Sequence, residues 1–297
     1  MLRALLKAIR PKQWAKNAIV LAAVVFDRQL PNPFSATSHS AIPLMRCLAG
    51  VFIFCLLSSS VYLINDIMDI EADRNHPVKK NRPIASGKLP IPVAILTAVV
   101  LSLLSFFAAA SLSMTFFGIV AAYFIINLLY SKWLKHIPLL DVLILASGFV
   151  LRVAGGVSLI EVERFSPWLY VVTTLLALYL GFGKRRAELT TIQAGGLHTR
   201  KVLDGYTLPF LDQLITIVSS TTLITYSLYT FSAPNLPDNH TMMLTIPFVL
   251  YGIFRYLFLI QIKQDGGAPE DILFKDRPLQ LAIILWGLSI LLIFYFS

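Results

Sequence analysis

Charged residues are scarce in this chain of 297 residues: they make up 14%, whereas 57% of the residues are hydrophobic and the mean hydropathy is +0.73. A soluble globular domain carries about 25% charged residues, so this composition excludes that class. Apolar stretches long enough to cross a bilayer recur along the whole chain, without a separate soluble domain. We therefore predict one all-α, polytopic membrane domain over residues 1–297.

Several chemical signatures are also missing. The chain has only two cysteines, Cys47 and Cys55, and both lie in one apolar segment, which favours packing over a disulfide or a metal pair. Its five histidines are scattered among loops, so neither a zinc site nor a nucleophilic triad is indicated. The sequence contains no phosphate-binding P-loop and no dinucleotide fingerprint, which excludes those nucleotide-binding classes.

Acidic residues are fewer than basic ones, 16 against 25, and the basic ones are unevenly distributed. With the amino terminus in the cytoplasm, 20 of the 25 fall in inner segments; the others are Arg28, Arg164, Arg46, Arg152 and Arg255. This positive-inside pattern predicts an odd number of spans, a carboxyl terminus outside and no nucleic-acid partner. We predict nine transmembrane helices, at residues 14–28, 42–64, 91–110, 112–130, 138–160, 166–183, 211–231, 243–262 and 279–296.

A cluster of carboxylates ends the second predicted span. On a helix Asp66, Asp69 and Asp73 fall at i, i+3 and i+7, on one face, and Asn65 lies one turn before Asp69. These carboxylates repel each other unless a hard cation such as Mg²⁺ neutralises them, and Mg²⁺ commonly shares its ligand sites with phosphate oxygens. The cations from Lys79 to Arg82 then suggest a phosphorylated substrate. The alternative is a solvated helix end whose charges are paired.

Three more segments carry charge in places where chemistry is plausible. Lys132 and Lys135 precede Asp141, which lies about one turn inside the fifth span, and an ionisable residue there indicates a site. Arg152 follows on a similar face about 16 Å away, so a direct pair with Asp141 is not expected; Arg152 could bind a phosphate or satisfy nearby carbonyls. The last two segments are Lys184–Glu188 and Arg10–Asn17, in which Lys16 lies deeper than a positive-inside residue needs to.

The Asn65–Asp73 pattern at the inner end of the second span resembles the UbiA superfamily of membrane prenyltransferases, over nearly the whole chain. In that superfamily two acidic motifs hold Mg²⁺ on the diphosphate of a prenyl donor. The first motif is intact here. The second is replaced by Lys184-Arg185-Arg186-Ala187-Glu188, in which Glu188 is the sole carboxylate. This departure argues against ordinary aromatic prenyl transfer.

Residues 10–17, 76–87 and 141–152 together resemble one branch of the superfamily, the decaprenyl-phosphate phosphoribosyltransferases. The resemblance implies phosphoribosyl pyrophosphate as donor, a polyprenyl phosphate as acceptor, Mg²⁺ as cofactor and a cytoplasmic site in the plasma or inner membrane. It also permits a homo-oligomer. The expected residues are Asp66, Asp69, Asp73 and Asp141 in catalysis; Asn65, Asp66, Asp69 and Asp73 as metal ligands; and Lys16, Tyr62, Lys79, Arg82, Tyr130, Lys132, Lys135, Arg152, Lys184, Arg185 and Glu188 at the substrates.

Two other functions remain open from the sequence. An aromatic prenyltransferase would use a prenyl diphosphate donor and would need a second carboxylate cluster after the sixth span. A transporter of a phosphorylated solute would be expected to show an inverted repeat and a midplane site, and no convincing internal repeat is visible.

Overall fold

The computed structural model describes residues 1–30, 41–162, 166–195, 200–234, 236–263, 272–273 and 275–296, and these ranges contain no β-strand. We number the α-helices in chain order. They are α1 (Leu2–Ala8), α2 (Ala22–Phe26), α3 (Ile42–Met68), α4 (Ile70–Arg74), α5 (Ile91–Leu112), α6 (Met114–Lys132), α7 (Leu140–Val157), α8 (Trp168–Gln193), α9 (Leu208–Ser232), α10 (Ile246–Gln261) and α11 (Arg277–Phe296).

Seven of the helices in the described part of the chain are long and apolar enough to cross a membrane: α3, α5, α6, α7, α9, α11, and α10 together with the 3₁₀ turn Thr241–Thr245 before it. The all-helical membrane architecture is thereby confirmed. The sixth predicted span corresponds to α8. The apolar part of α8 ends at Lys184, Arg185 and Arg186, so α8 is not among the helices that are long and apolar enough to cross a membrane. Nine spans and the orientation of the termini stay predictions.

The first predicted span differs from the structure. Residues 14–28 do not form one α-helix, because Pro11–Leu21 is a 3₁₀ helix and only the short α2 follows it. Tertiary hydrogen bonds hold this segment against α3: the Trp14 indole donates to the Ser59 hydroxyl over 3.0 Å, and Asn17 donates to Cys55 over 3.2 Å. Such contacts leave no periodic signal in the sequence.

Local sequence explains where the long helices begin. Proline occupies one of the first two positions of α3, α5, α9 and α10, where its missing N–H costs no helical hydrogen bond. Between α5 and α6 the chain turns on Ser113 alone, which has an extended backbone and caps α6 by accepting from the Phe116 N–H.

The chain divides into two compact units, and the described residues of the first are 1–30, 41–135 and 148–162. In this unit α3 packs against α5, α6 and the 3₁₀ helix Pro11–Leu21. Its core contains Phe54, Phe116 and Tyr123, with ring edges turned toward ring faces. A Cβ on Gly155 would meet the Phe54 and Phe116 rings, and one on Gly156 would overlap the Val20 carbonyl. The absence of side chains at this glycine pair therefore permits close packing.

The described residues of the second unit are 136–147, 166–195, 200–234, 236–263, 272–273 and 275–296. Here α8 packs chiefly on α9, and α10 packs on α11. The Tyr179 hydroxyl of α8 donates to the Ile253 carbonyl of α10 over 2.7 Å, and a Cβ on Gly183 would clash with Tyr256. Whether the two units act as the single domain predicted over 1–297 stays a prediction.

The packing of Gly156 generates a stability prediction. Gly156→Ala places a methyl group against the Val20 backbone, which cannot move as a flexible side chain can, so we expect a loss of about 1–3 kcal/mol. Thermal denaturation of the detergent-solubilised protein measures it. Gly118→Ala in α6 is the matched control, because nothing lies within 4 Å of the added Cβ; equal melting temperatures for the two variants would contradict the prediction.

Candidate active site

The acidic cluster predicted from the sequence is built around one guanidinium. Asp66, near the end of α3, and Asp73, in α4, are 2% and 3% exposed. The Nη1 atom of Arg82 donates to Asp66 Oδ1 over 3.0 Å and to Asp73 Oδ2 over 2.6 Å. Two carboxylates therefore converge on a single cationic nitrogen. Both carboxylates are buried and not solvated, yet their pairing with Arg82 agrees with the paired charges of the alternative reading. The choice between a metal site and a structural charge cluster stays a prediction.

Arg10 supplies a second cation to Asp66. Its Nη2 atom donates to Asp66 Oδ1 over 2.5 Å, and its guanidinium lies 4.8 Å from the centre of the Tyr62 ring. Arg10 has a left-handed backbone, with φ at 52°, at the point where the chain enters the 3₁₀ helix Pro11–Leu21. Such a conformation costs on the order of 1–3 kcal/mol for a residue other than glycine, so the surrounding contacts must hold it.

The third carboxylate also has a cationic partner. Lys135 donates from Nζ to Asp69 Oδ1 over 2.5 Å, and the Asn65 carboxamide donates to Asp69 Oδ2 over 3.3 Å. Asn65 and Asp69 thus lie together as the helical spacing predicts. Lys135 reaches the cluster from the short 3₁₀ turn Leu134–His136 after α6. Its predicted role at a substrate stays a prediction.

The contacts of the acidic cluster do not by themselves define a divalent-cation site. Within the described ranges no three His, Cys, Asp or Glu side chains are grouped as a metal site would need. The donor set nevertheless fits a hard cation, because carboxylate and carboxamide oxygens are the ligands that Mg²⁺ prefers. Asp66 and Asp73 both pair with the Arg82 guanidinium. A metal ion bound by these carboxylates would therefore compete with Arg82 for them. The four metal-ligand assignments stay predictions.

Three other predicted residues, Lys79, Tyr130 and Lys132, lie at the ends of helical segments. Lys79 begins the 3₁₀ turn Lys79–Asn81, and its backbone N–H donates to His76 Nδ1 over 3.2 Å. Tyr130 and Lys132 lie in the last turn of α6, where the Lys132 ammonium sits 4.4 Å from the centre of the Trp133 ring. Their roles as substrate ligands stay predictions.

Arg152 lies in a polar cluster of its own in the first unit. It donates from Nε to Asn17 Oδ1 over 2.6 Å, from Nη1 to the Gly148 carbonyl over 2.7 Å and from Nη2 to the Tyr123 hydroxyl over 2.8 Å. Of the two roles left open by the sequence, satisfying nearby carbonyl oxygens is seen here. The role of Arg152 as a phosphate ligand stays a prediction.

Asp141 forms a separate network in the second unit. Its carboxylate is fully buried; it accepts from Arg185 Nε over 2.5 Å and from the Tyr206 hydroxyl over 2.6 Å. The Tyr206 hydroxyl in turn accepts from the Leu139 N–H, and Leu139 has a left-handed backbone with φ at 69°. Burial and the Asp141 carboxylate raise the pKa of Tyr206, which keeps it a proton donor.

Glu188, the lone carboxylate in the place of a second acidic motif, is bound by cations. Arg185 Nη1 donates to Glu188 Oε2 over 2.7 Å, and Arg200 Nε lies 3.6 Å from Oε1. Burial alone would raise the pKa of Glu188, but Arg200, Arg185 and Lys184 outweigh burial and hold the pKa below its ordinary value of 4.5. Glu188 is thus an anion locked between arginines, in a setting that is cationic overall.

Sequence reasoning missed several members of these clusters. Arg10 and Asn17 both lie in the segment Arg10–Asn17, in which the sequence pattern predicts a site role for Lys16 alone. Tyr123 and Tyr206 carry no local signal, because one lies in an apolar helix and the other in a loop far along the chain from its partner Asp141. Only the tertiary structure brings them to the charged groups.

Comparisons with known proteins agree with one another. Residues 33–274 match the model of the UbiA prenyltransferase family. A decaprenyl-phosphate phosphoribosyltransferase of Mycolicibacterium smegmatis is 36% identical, with 99% of this chain and 93% of that protein covered. The enzyme of the same name from Mycobacterium tuberculosis is 34% identical, with 94% and 90% covered.

Solved structures share the fold. A UbiA homologue from Archaeoglobus fulgidus, bound to DMAPP and Mg²⁺, superposes with a TM-score of 0.71 at 20% identity and covers 99% of both chains. A digeranylgeranylglyceryl phosphate synthase superposes with a TM-score of 0.63 at 16% identity and covers 99% of this chain and 98% of its own. At these identities the likeness concerns the fold alone.

The lowered pKa of Glu188 generates a pH-dependent prediction. A carboxylate with a depressed pKa stabilises the fold above about pH 4.5, and this contribution is lost as the pH falls below that value. Glu188→Gln should therefore lower the unfolding free energy by about 1–3 kcal/mol at pH 7, with the gap to the parent protein closing in acid. Thermal melts at pH 7 and pH 4 measure it.

The control for this prediction is Glu71→Gln. Glu71 pairs with Arg74 on the surface, where its side chain is 79% exposed, and surface pairs contribute little. A gap between Glu188→Gln and the parent that is independent of pH, or a Glu71→Gln variant that behaves the same way, would contradict the assignment.

Proposed function

Because the chain belongs to the UbiA prenyltransferase family, we propose that it is a membrane transferase that moves 5-phosphoribosyl from phosphoribosyl pyrophosphate to a polyprenyl phosphate, releasing diphosphate. One observation carries this proposal. Every carboxylate of the acidic cluster already has a guanidinium or ammonium partner: Arg10 and Arg82 for Asp66, Arg82 for Asp73 and Lys135 for Asp69. A site that holds as many cations as carboxylates suits a donor with several phosphate groups.

The acidic residues fit Mg²⁺, held by Asp66, Asp69 and Asp73 with Asn65. Bound there, the metal would neutralise charge on the departing diphosphate. If these carboxylates held such an ion, Arg10, Arg82 and Lys135 would be released from them and could bind phosphate oxygens of the donor. Arginine forks and lysine ammonium groups are both suited to phosphate. The same side chains would thus neutralise the carboxylates in the present arrangement and bind the donor in the other.

The transfer itself needs little covalent chemistry from the protein. An oxygen of the acceptor phosphate forms a bond to ribose C1 while the bond from C1 to the diphosphate oxygen breaks, through an oxocarbenium-like transition state with inversion. The acceptor is already an anion, so no strong general base is required. Catalysis then rests on positioning the two substrates and stabilising charge. Asp141 serves that positioning through Arg185 and Tyr206, because all three are locked together.

The same geometry supports the rival reaction, aromatic prenyl transfer, less well than phosphoribosyl transfer. It would need a second carboxylate set after the sixth predicted span, and Glu188, the carboxylate of the segment Lys184–Glu188 within α8, is engaged by Arg185 and Arg200. A cationic surrounding at Lys184–Arg186 suits the 5-phosphate of the ribosyl donor better than a second metal.

The basic segments support a cytoplasmic site. The motif residues from Asn65 to Arg82, Lys132 to Lys135 and Lys184 to Arg186 all fall in the segments predicted to be inside, and the donor is a charged nucleotide precursor that does not cross a bilayer unaided. We place the protein in the plasma or inner membrane on this ground, with its amino terminus in the cytoplasm and its carboxyl terminus outside. Self-association stays a prediction.

The experiment that tests the function uses membranes containing the full chain. They are incubated with phosphoribosyl pyrophosphate labelled in the ribose, Mg²⁺ and a polyprenyl phosphate, and lipid extracts are separated. We expect a labelled lipid whose formation requires both substrates and stops with EDTA. If no labelled lipid forms, while a prenyl diphosphate and an aromatic acid react in the same membranes, the rival reaction is correct.

Asp69→Asn provides the prediction for the metal site. The substitution keeps the side-chain shape but removes a charge that would face the metal and the diphosphate, so turnover should fall by roughly 100-fold or more. The matched control is Glu71→Gln, a neighbouring carboxylate that is exposed and pairs only with Arg74 among the contacts seen. Near-normal turnover of Asp69→Asn at saturating Mg²⁺ would refute the metal assignment.

A further inference from the structure

The helix α1 has an outward face that the described part of the chain leaves uncovered. Leu2 is 72% exposed and Leu6 is 48% exposed, although both are apolar. Arg3 and Lys7 are exposed as well, and within the described ranges neither side chain forms an ion pair. Residues four apart lie together on a helix, so the two leucines form one strip and the two cations form a second strip beside it. We call these four residues the α1 outer face.

The opposite side of α1 is fixed to the protein. Ala8 is 1% exposed, and it belongs to one apolar cluster with Leu63 of α3 and Ala94 of α5. Two further α1 residues, Ala4 and Leu5, pack against the same cluster. Since α1 is held in this way by its inner side, the exposure of its outer face does not come from a detached helix.

The partners of α1 define its level along the membrane spans. The carbonyl of Ile9, which follows α1, accepts from the Ser59 hydroxyl of α3 over 3.1 Å. In α5, Ala94 of the shared cluster is followed by Ile95 and Leu96, which are exposed and apolar as residues of a lipid-facing helix are. The helix α1 therefore lies beside the ends of two spans, where apolar helix surface gives way to charged loops.

The charge of this region has one sign. The sequence contains no carboxylate before Asp27, and Arg10 obtains its partner, Asp66, from α3. A positive-inside topology accounts for Arg3 and Lys7 but not for the exposed leucines beside them. Exposed cations next to an exposed apolar strip are typical of a helix that lies in the membrane surface, with its cations at anionic headgroups and its apolar side chains among the acyl chains.

We propose that the α1 outer face docks on anionic phospholipids of the leaflet beside the acidic cluster. Arg3 and Lys7 bind the headgroups, while Leu2 and Leu6 enter the upper part of the acyl chains. Charge complementarity favours an anionic lipid over a zwitterionic one as the occupant. Because Arg10 follows α1 closely and is bound to Asp66, docking also restrains the segment that brings a cation to the acidic cluster. The proposal does not depend on the proposed function.

The test measures how accessible α1 is to water in lipids of different charge. The full-length protein carries a fluorophore on Leu2→Cys, and the unsubstituted protein, in which Cys47 and Cys55 are buried, gives the labelling background. One chain per disc is placed in nanodiscs of phosphatidylcholine, or of equimolar phosphatidylcholine and phosphatidylglycerol, and quenching by neutral acrylamide is recorded. We expect roughly twofold weaker quenching with phosphatidylglycerol, and high salt should remove this difference.

Variants separate the cations of α1 from the total charge of the protein. Arg3→Gln/Lys7→Gln should be quenched equally in both lipids, because the helix is kept while its cations are lost. Lys88→Gln/Lys201→Gln is the matched control, since both lysines are exposed, lie outside α1 and remove the same charge; its response to phosphatidylglycerol should remain. Leu6→Gln keeps both cations and should weaken the protection. Equal melting temperatures in phosphatidylcholine verify that all of them fold.

Four results would overturn the inference. Equal quenching of the parent in both lipids means that α1 does not meet anionic headgroups, and a response that persists in Arg3→Gln/Lys7→Gln means that its cations are not the cause. Loss of the response in the Lys88→Gln/Lys201→Gln control assigns it to net charge. Protection that appears only in a parallel preparation with two chains per disc assigns the face to a second copy of this chain. No substrate is present, so the outcome is independent of the transferase reaction.

Discussion

The neutralisation of buried carboxylates is the constraint on which both units of this protein depend. Asp66, Asp73 and Asp141 are the carboxylates buried within the part of the chain that the structure describes, and each is bound by a guanidinium. An apolar setting makes an unpaired charge costly, so a carboxylate that is retained there must be paired by another part of the chain. The pairs consequently determine where loops and helix ends lie.

The cations that make these pairs come from distant parts of the sequence. Arg10 lies 56 residues from Asp66, and Arg185 lies 44 residues from Asp141. Arg10 and Leu139, the residue whose N–H supports Tyr206, both hold left-handed backbones beside these pairs. Strain of this kind persists only where surrounding contacts fix it, and it is concentrated here next to the residues that the proposed reaction uses.

Paired and unpaired cations have different consequences for function. Arg82 and Lys135 are paired with carboxylates, and under the proposed function they would bind donor phosphates if those carboxylates held a metal. Among the described residues, the hydrogen-bond partners of Arg152 are neutral oxygens. The two kinds of cation therefore differ in whether an incoming anion has to displace a counter-charge.

The sequence was a good guide where a local pattern carries the information. The spacing of Asp66, Asp69 and Asp73 predicts that they share one face of a helix end, and Asn65 lies one turn before Asp69, because these relations depend only on helical periodicity. The 3₁₀ geometry of Pro11–Leu21 was not predictable in this way, because hydrogen bonds from Trp14 and Asn17 to α3 hold it.

The same division holds for the site. The sequence by itself determined the chemistry available: an acidic motif, basic segments and an all-helical membrane chain, since residue type and hydropathy are local properties. Only the tertiary structure decided which cation neutralises which carboxylate, that Tyr206 supports Asp141, and that Arg152 is left with neutral partners. Pairing of charges depends on distances between segments far apart in the chain, and these distances are fixed only when the helices pack.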